Sequence, residues 1–115
     1  MPGDRMRRVN EALREILSER LAEGLKDPRI GFVTVTAVET SPDLRHARVF
    51  VSVLGNKQER DDSLTALQRA HGVLQAEIAK VTHMKRTPEL KFVYDETVER
   101  GMRINELLES EASPE

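Results

Sequence analysis

Apolar residues recur along this chain with two different spacings. Leu64, Leu67, Leu74, Ile78 and Val81 fall at alternating steps of three and four, and His71 stands in the same row. That row is one face of an α-helix, long enough to cover a small sheet. Gly72 follows His71, and a glycine inside a helix costs roughly 1 kcal/mol relative to alanine. The pattern therefore predicts two helices meeting at Ala70-His71-Gly72 rather than one rod. Such a kink lifts His71 off the core row towards solvent. It also gives Gly72 an expected role, in a positive φ or a close approach to another backbone. The second helix loses its pattern by Met84. Pro88 cannot continue it, so Lys85-Arg86-Thr87-Pro88 becomes a basic elbow.

The same helical period runs from Asp4 to Leu25 through Met6, Val9, Leu13, Ile16, Leu17 and Leu21. Asp4 is the expected cap, and Gly24 with Pro28 marks the stop. Steps of two take over in Gly31 to Val38 and in Ala47 to Leu54. In the second of these, Ala47, Val49, Val51 and Val53 share one face. Thr40-Ser41-Pro42-Asp43 is turn chemistry between them, so the two strands form an antiparallel pair. Gly55-Asn56 ends the pair, and Lys57 to Asp62 reads as a polar loop. A third strand, Leu90 to Asp95, puts Leu90, Phe92 and Tyr94 on one face. Asp95 can cap a last helix from Glu96 to about Glu109. The order is helix, strand, strand, helix, helix, strand, helix. This is an α+β sandwich, with helices packed on one face of a small three-stranded mixed sheet. If the third strand lies parallel to the second, the two central helices form the crossover between them, expected to be right-handed. The strand order stays open.

The chain has 115 residues and no cysteine, which fits one domain and excludes disulfides and thiolate metal sites. No apolar run approaches the length of a membrane helix, and the N-terminus has no signal-peptide pattern, so a cytoplasmic protein without membrane partners is expected. Net charge is only −2, but it is segregated. From Phe92 onward seven acids face two arginines, a balance of −5, which leaves +3 on the residues before. An acidic end masks a basic body.

That distribution decides between chemistries. His71 and His83 are poorly placed for a shared metal, and no Walker or Gly-x-Gly-x-x-Gly loop occurs, so neither a cofactor nor catalysis is expected. Around the central helices, by contrast, Arg69, Lys80, Lys85, Arg86 and Lys91 outnumber Glu77 and Glu89. Arg5, Arg7 and Arg8 make a second cluster at the start of the first helix. Cations so placed bind phosphates with salt-dependent affinity, and the amides just past Gly72 can receive an anion. Aromatic residues are few, Phe32, Phe50, Phe92 and Tyr94, and all lie in strands. Base stacking on a sheet is therefore not the expected mode; backbone and shape recognition of folded RNA is. The candidate RNA-binding residues are Arg69, His71, Gly72, Lys80, Lys85, Arg86, Arg5 and Arg8.

Four stretches together carry a resemblance. They are Asp27-Pro28-Arg29-Ile30-Gly31-Phe32-Val33-Thr34-Val35-Thr36, Ala47-Arg48-Val49-Phe50-Val51-Ser52-Val53-Leu54-Gly55, Ala70-His71-Gly72, and Pro88-Glu89-Leu90-Lys91-Phe92-Val93-Tyr94-Asp95. From about Arg5 to Leu108 the chain resembles the bacterial ribosome-binding factor A family. The resemblance implies a type II KH-like domain with an Ala-x-Gly helix kink. Residues 1–109 read as that single domain, and 110–115 read as a disordered acidic tail, where relatives often carry a basic one. It implies a monomeric, non-enzymatic cytoplasmic assembly factor. Such a factor binds the free small (30S) ribosomal subunit through its 16S rRNA. It supports late maturation and rRNA 5′-end processing, above all in the cold. An assembly GTPase and ribosomal proteins are further candidate partners. The rival reading is a protein-interaction module that docks to one of them through its acidic last helix.

Overall fold

The computed structural model describes residues 3–25, 28 and 30–97. The expected last helix beyond Thr97, the acidic tail, and Asp27 and Arg29 of the first family-like stretch lie outside these residues.

The elements are α1 (Asp4–Glu23), β1 (Phe32–Thr40), β2 (His46–Leu54), α2 (Lys57–Arg69), α3 (His71–Thr82) and β3 (Glu89–Tyr94). The sheet has the order β1-β2-β3. β1 and β2 are antiparallel, and β3 runs parallel to β2, with His46 opposite Glu89 and Val51 opposite Tyr94. The helix pair α2–α3 is the crossover that a parallel neighbour requires. The fold is the expected α+β arrangement of helices on a three-stranded mixed sheet. A type II KH description is compatible with it.

The core lies between the sheet and the helices. Val49, Val51, Leu17, Leu67, Leu74 and Ile78 are fully buried there. Strict alternation in β1 would have turned Ala37, not Val38, inward. A bulge between Val35 and Ala37 shifts the register, so Val35 and Val38 both reach the core although they are three residues apart.

Four local expectations change. Asp4 is not the cap of α1: the N-cap is Gly3, and Asp4 is the first helical residue, paired with Arg7 at 3.3 Å. The helix does end at Gly24, which has φ 92° and returns its N–H to Leu21 O. Lys57 to Asp62 is the first half of α2 rather than a loop. Asn56 accepts from the Glu59 amide (2.8 Å), and the Glu59 carboxylate accepts from the Asn56 amide (3.1 Å). This reciprocal cap starts the helix on polar residues, because its first turn faces solvent. Val81 keeps the helical phase but is 51% exposed, so the apolar row outruns its covering among the described residues.

The fourth change concerns Gly72. The helices do part at the expected place: Ala70, with φ −85° and ψ 6°, ends α2 and begins α3. Gly72, however, has no positive φ, and a Cβ built on it meets nothing within 4 Å. The bend is made at Ala70, and Gly72 is an ordinary residue of α3's first turn. The fold therefore makes no demand for glycine there.

Candidate nucleic-acid interface

α3 starts without help. No side chain caps its first amides, and Leu74 N is tied back to Ala70 O at 3.2 Å. His71 leaves the core row and is exposed, as the kink predicts. Its Nδ1 lies 2.8 Å from Gln68 O. A carbonyl can only accept, so Nδ1 carries the proton of that bond and Nε2 is left towards solvent. Gly72 and Val73 beside it are exposed too. The kink thus presents a histidine edge, a bare helix turn and the Arg69 side chain at one place.

α3 ends at His83, a left-handed residue with φ 59° whose N–H returns to Ala79 O. The chain then doubles back. Gln75 donates to Thr87 Oγ1 (3.4 Å), which pins the far end of the elbow beside the second turn of α3. Pro88 is buried, and Glu89 N donates to Arg45 O (2.8 Å) where β3 begins. Lys85 and Arg86 therefore lie on a strap anchored at both ends, with their side chains exposed.

The two ends of α3 are not one point. Lys80 stands in its last turn, about 14 Å along the axis from His71 at the usual helical rise. Arg5 and Arg8 are on α1, whose first turns border Pro42 and Leu44 of the hairpin. The structure thus joins Arg69, His71 and Gly72 at the kink and ties the elbow to it through Gln75. It leaves Lys80 farther along, and Arg5 and Arg8 on a separate element.

Pairing separates these cations from several others on the surface. Arg7 pairs with Asp4, Arg14 with Glu11, Arg20 with Glu23 (3.9 Å) and Arg48 with Glu39 (2.5 Å). Glu89 turns away from the elbow to His46 (3.6 Å). Arg5, Arg8, Arg69, Lys80, Lys85 and Arg86 have no ion pair among the described residues. An exposed cation without a carboxylate partner keeps its charge available to a phosphate.

Two carboxylates are tuned by neighbours elsewhere. Asp95 accepts from Thr36 Oγ1 (2.5 Å) and from the Thr97 amide (2.9 Å), and the Thr36 bond above all holds its pKa below the ordinary value. The Thr97 bond is the start of the cap expected at Asp95. In the hairpin, Asp43 accepts from Ser41 Oγ (2.6 Å) and the Arg45 amide (3.0 Å), which also lowers its pKa. Both are structural bonds, and neither carboxylate faces the kink. Among the described residues no cluster of His, Asp or Glu could hold a metal ion, and no helix is long and apolar enough to cross a membrane. The sequence reading missed Gln68 and Gln75, the two amides that organise this surface. Nothing in their spacing marks them, because their partners are 12 or more residues away.

The family profile described as ribosome-binding factor A matches residues 5–108. The chain belongs to the ribosome-binding factor A family. A ribosome-binding factor A from Natranaerobius thermophilus is 46% identical over 108 residues, covering 94% of this chain and 82% of that one. The crystal structure of the Thermus thermophilus ribosome-binding factor A superimposes with a TM-score of 0.68 at 31% identity, over 77% of this chain and 94% of that one. A homology model of the Thermus thermophilus factor, fitted into the cryo-electron-microscopy map of a 30S complex, gives 0.63 at 32% identity, over 75% and 90% of the two chains. Ala70, His71 and Gly72 sit inside the matched region.

Proposed function

We propose that this protein binds the free small ribosomal subunit through its 16S rRNA, using the kink and the elbow. It acts there as a non-catalytic factor in late subunit maturation and rRNA 5′-end processing, above all in the cold. Arg69, Lys85 and Arg86 hold phosphates, and Lys80, Arg5 and Arg8 extend the contact along the RNA. His71 offers Nε2 at the kink, and Gly72 lets the helix approach closely. The observation that carries the reading is the set of exposed cations around α3 with no acidic partner among the described residues, in a family one of whose members has been fitted into a 30S complex.

The test is sedimentation of tagged protein with cell lysate. The reading expects the protein to travel with mature and immature small subunits and to be absent from translating ribosomes. Co-sedimentation with translating ribosomes, or none with small subunits, would refute it.

A further inference from the structure

A side chain occupies the outer edge of the sheet. β3 is an outer strand, so its Leu90 carbonyl and Phe92 amide point away from β2. Gln68, in the last turn of α2, pairs with both. Its Nε2 donates to Leu90 O (3.0 Å), and its Oε1 accepts from Phe92 N (3.1 Å). The amide stands at a cleft of about 700 Å³ between α2 and β3, with Leu64, Leu90 and Phe92 in its walls and Lys91 at its side. Lys91 is exposed and has no ion pair among the described residues.

Without that amide, the cleft would combine three things. There would be apolar walls for a flat ring, a backbone donor beside a backbone acceptor, and, on the opposite face of the same strand edge, a cation to meet a phosphate outside the cleft. Those are the requirements of one unpaired nucleobase, which carries a donor next to an acceptor on its edge. A primary amide carries the same pair of groups. We infer that Gln68 is a specificity-determining residue: its side chain takes the place of a base on β3, and so keeps single-stranded RNA out of the cleft. The chain is thereby restricted to folded RNA, engaged through its phosphate-facing cations. This inference rests on the RNA-binding reading above. Charge favours a nucleotide over a peptide strand as the excluded ligand, since Lys91 is unpaired while Glu89 is turned to His46.

The test compares the wild type with Gln68→Ala and Gln68→Asn, whose shorter amide cannot span to β3. Fluorescence anisotropy measures binding of an unstructured single-stranded RNA oligonucleotide, and sedimentation measures binding of purified small subunits. Losing two hydrogen bonds that a base must otherwise displace predicts a gain of about tenfold for the single strand in both variants. Subunit binding should stay within about twofold. If Gln68→Ala folds poorly, as thermal melting would show, Gln68→Asn still reads the effect. Equal single-strand binding by wild type and variants overturns the inference. So does self-association of the variants in sedimentation velocity with no gain in RNA binding, because the bared edge would then take a second copy's strand. If the wild type fails to bind small subunits while the variants gain the single strand, the role of Gln68 stands and the ribosomal reading falls.

Discussion

The two central helices begin in opposite ways. α2 starts behind a reciprocal cap, with Asn56 and Glu59 each satisfying the other's amide. α3 starts on Ala70 with no side-chain cap, an exposed histidine first and an exposed glycine second. Both starts are solvent-facing, so the difference is not one of burial. At the first, side chains close the helix end. At the second, they leave it bare and set unpaired cations around it. The side-chain cap stands at the start that lies outside the proposed RNA contact and is missing at the start that lies within it.

The largest expected break between the two is in binding. Replacing Lys85 and Arg86 together with alanine should weaken small-subunit binding about tenfold and lower its salt slope by about two units. Thermal stability should barely move, since both side chains are exposed. An unchanged salt slope would favour docking to a protein instead.

The capped start should respond in the other currency. Asn56→Ala removes the acceptor for the Glu59 amide and should cost about 1 kcal/mol in chemical denaturation, with subunit binding intact. A loss of binding in the folded variant would mean that the comparison has been drawn in the wrong place.

Gly72→Ala sharpens it further. With an ordinary φ and open space around the missing Cβ, alanine should stabilise the protein by about 0.5–1 kcal/mol. The same methyl would stand between α3 and a closely approaching RNA backbone, so subunit binding should weaken. A variant more stable and binding normally would remove Gly72 from the interface.

A smaller effect belongs to Asp95, which takes part in neither start. Its folded pKa is depressed, so the Thr36 bond contributes stability above the ordinary Asp range near 3.8 and loses it as pH falls through the folded value. Melting temperatures between neutral and acid pH should therefore converge for wild type and Thr36→Val. A gap that persists in acid would assign the effect to packing. Smallest of all, deleting Glu109 to Glu115 should leave subunit binding unchanged or slightly tighter, because an acidic end is repelled by RNA. A large loss in the folded truncation would favour the protein-docking reading.

Period alone located most of the fold. Ala47, Val49, Val51 and Val53 alternate without interruption, and all four are buried. The break at Ala70-His71-Gly72 was legible because an imidazole and a glycine interrupt an apolar row. The first half of α2 was not, since Lys57 to Asp62 has no apolar period to read; Asn56 and Glu59, spaced as a capping pair, were the available signal. Val38 was hidden by the bulge, which resets a period of two without leaving a mark in residue type. At the site, the cations could be named from sequence but not sorted. Arg7 and Arg8 look alike in the chain, yet Arg7 meets Asp4 and Arg8 meets no acid among the described residues. Which of them is free depends on rotamers and neighbours that spacing does not specify.

The parallel pairing of β3 with β2 also orders events in time. The β1–β2 hairpin and α1 precede the central helices and can pack together while the chain is still being synthesised, with α1 meeting α3 only later. His46 meets Glu89 only after all of α2 and α3 has been made. Until then the β2 edge is open to other strands, and Gln68 and the far end of the elbow lack the β3 backbone that anchors them. Among the described residues, the kink and elbow of the proposed RNA contact are thus the last to take shape, and a nascent or truncated chain ending before Glu89 has a hairpin to aggregate through but no anchored elbow with which to bind.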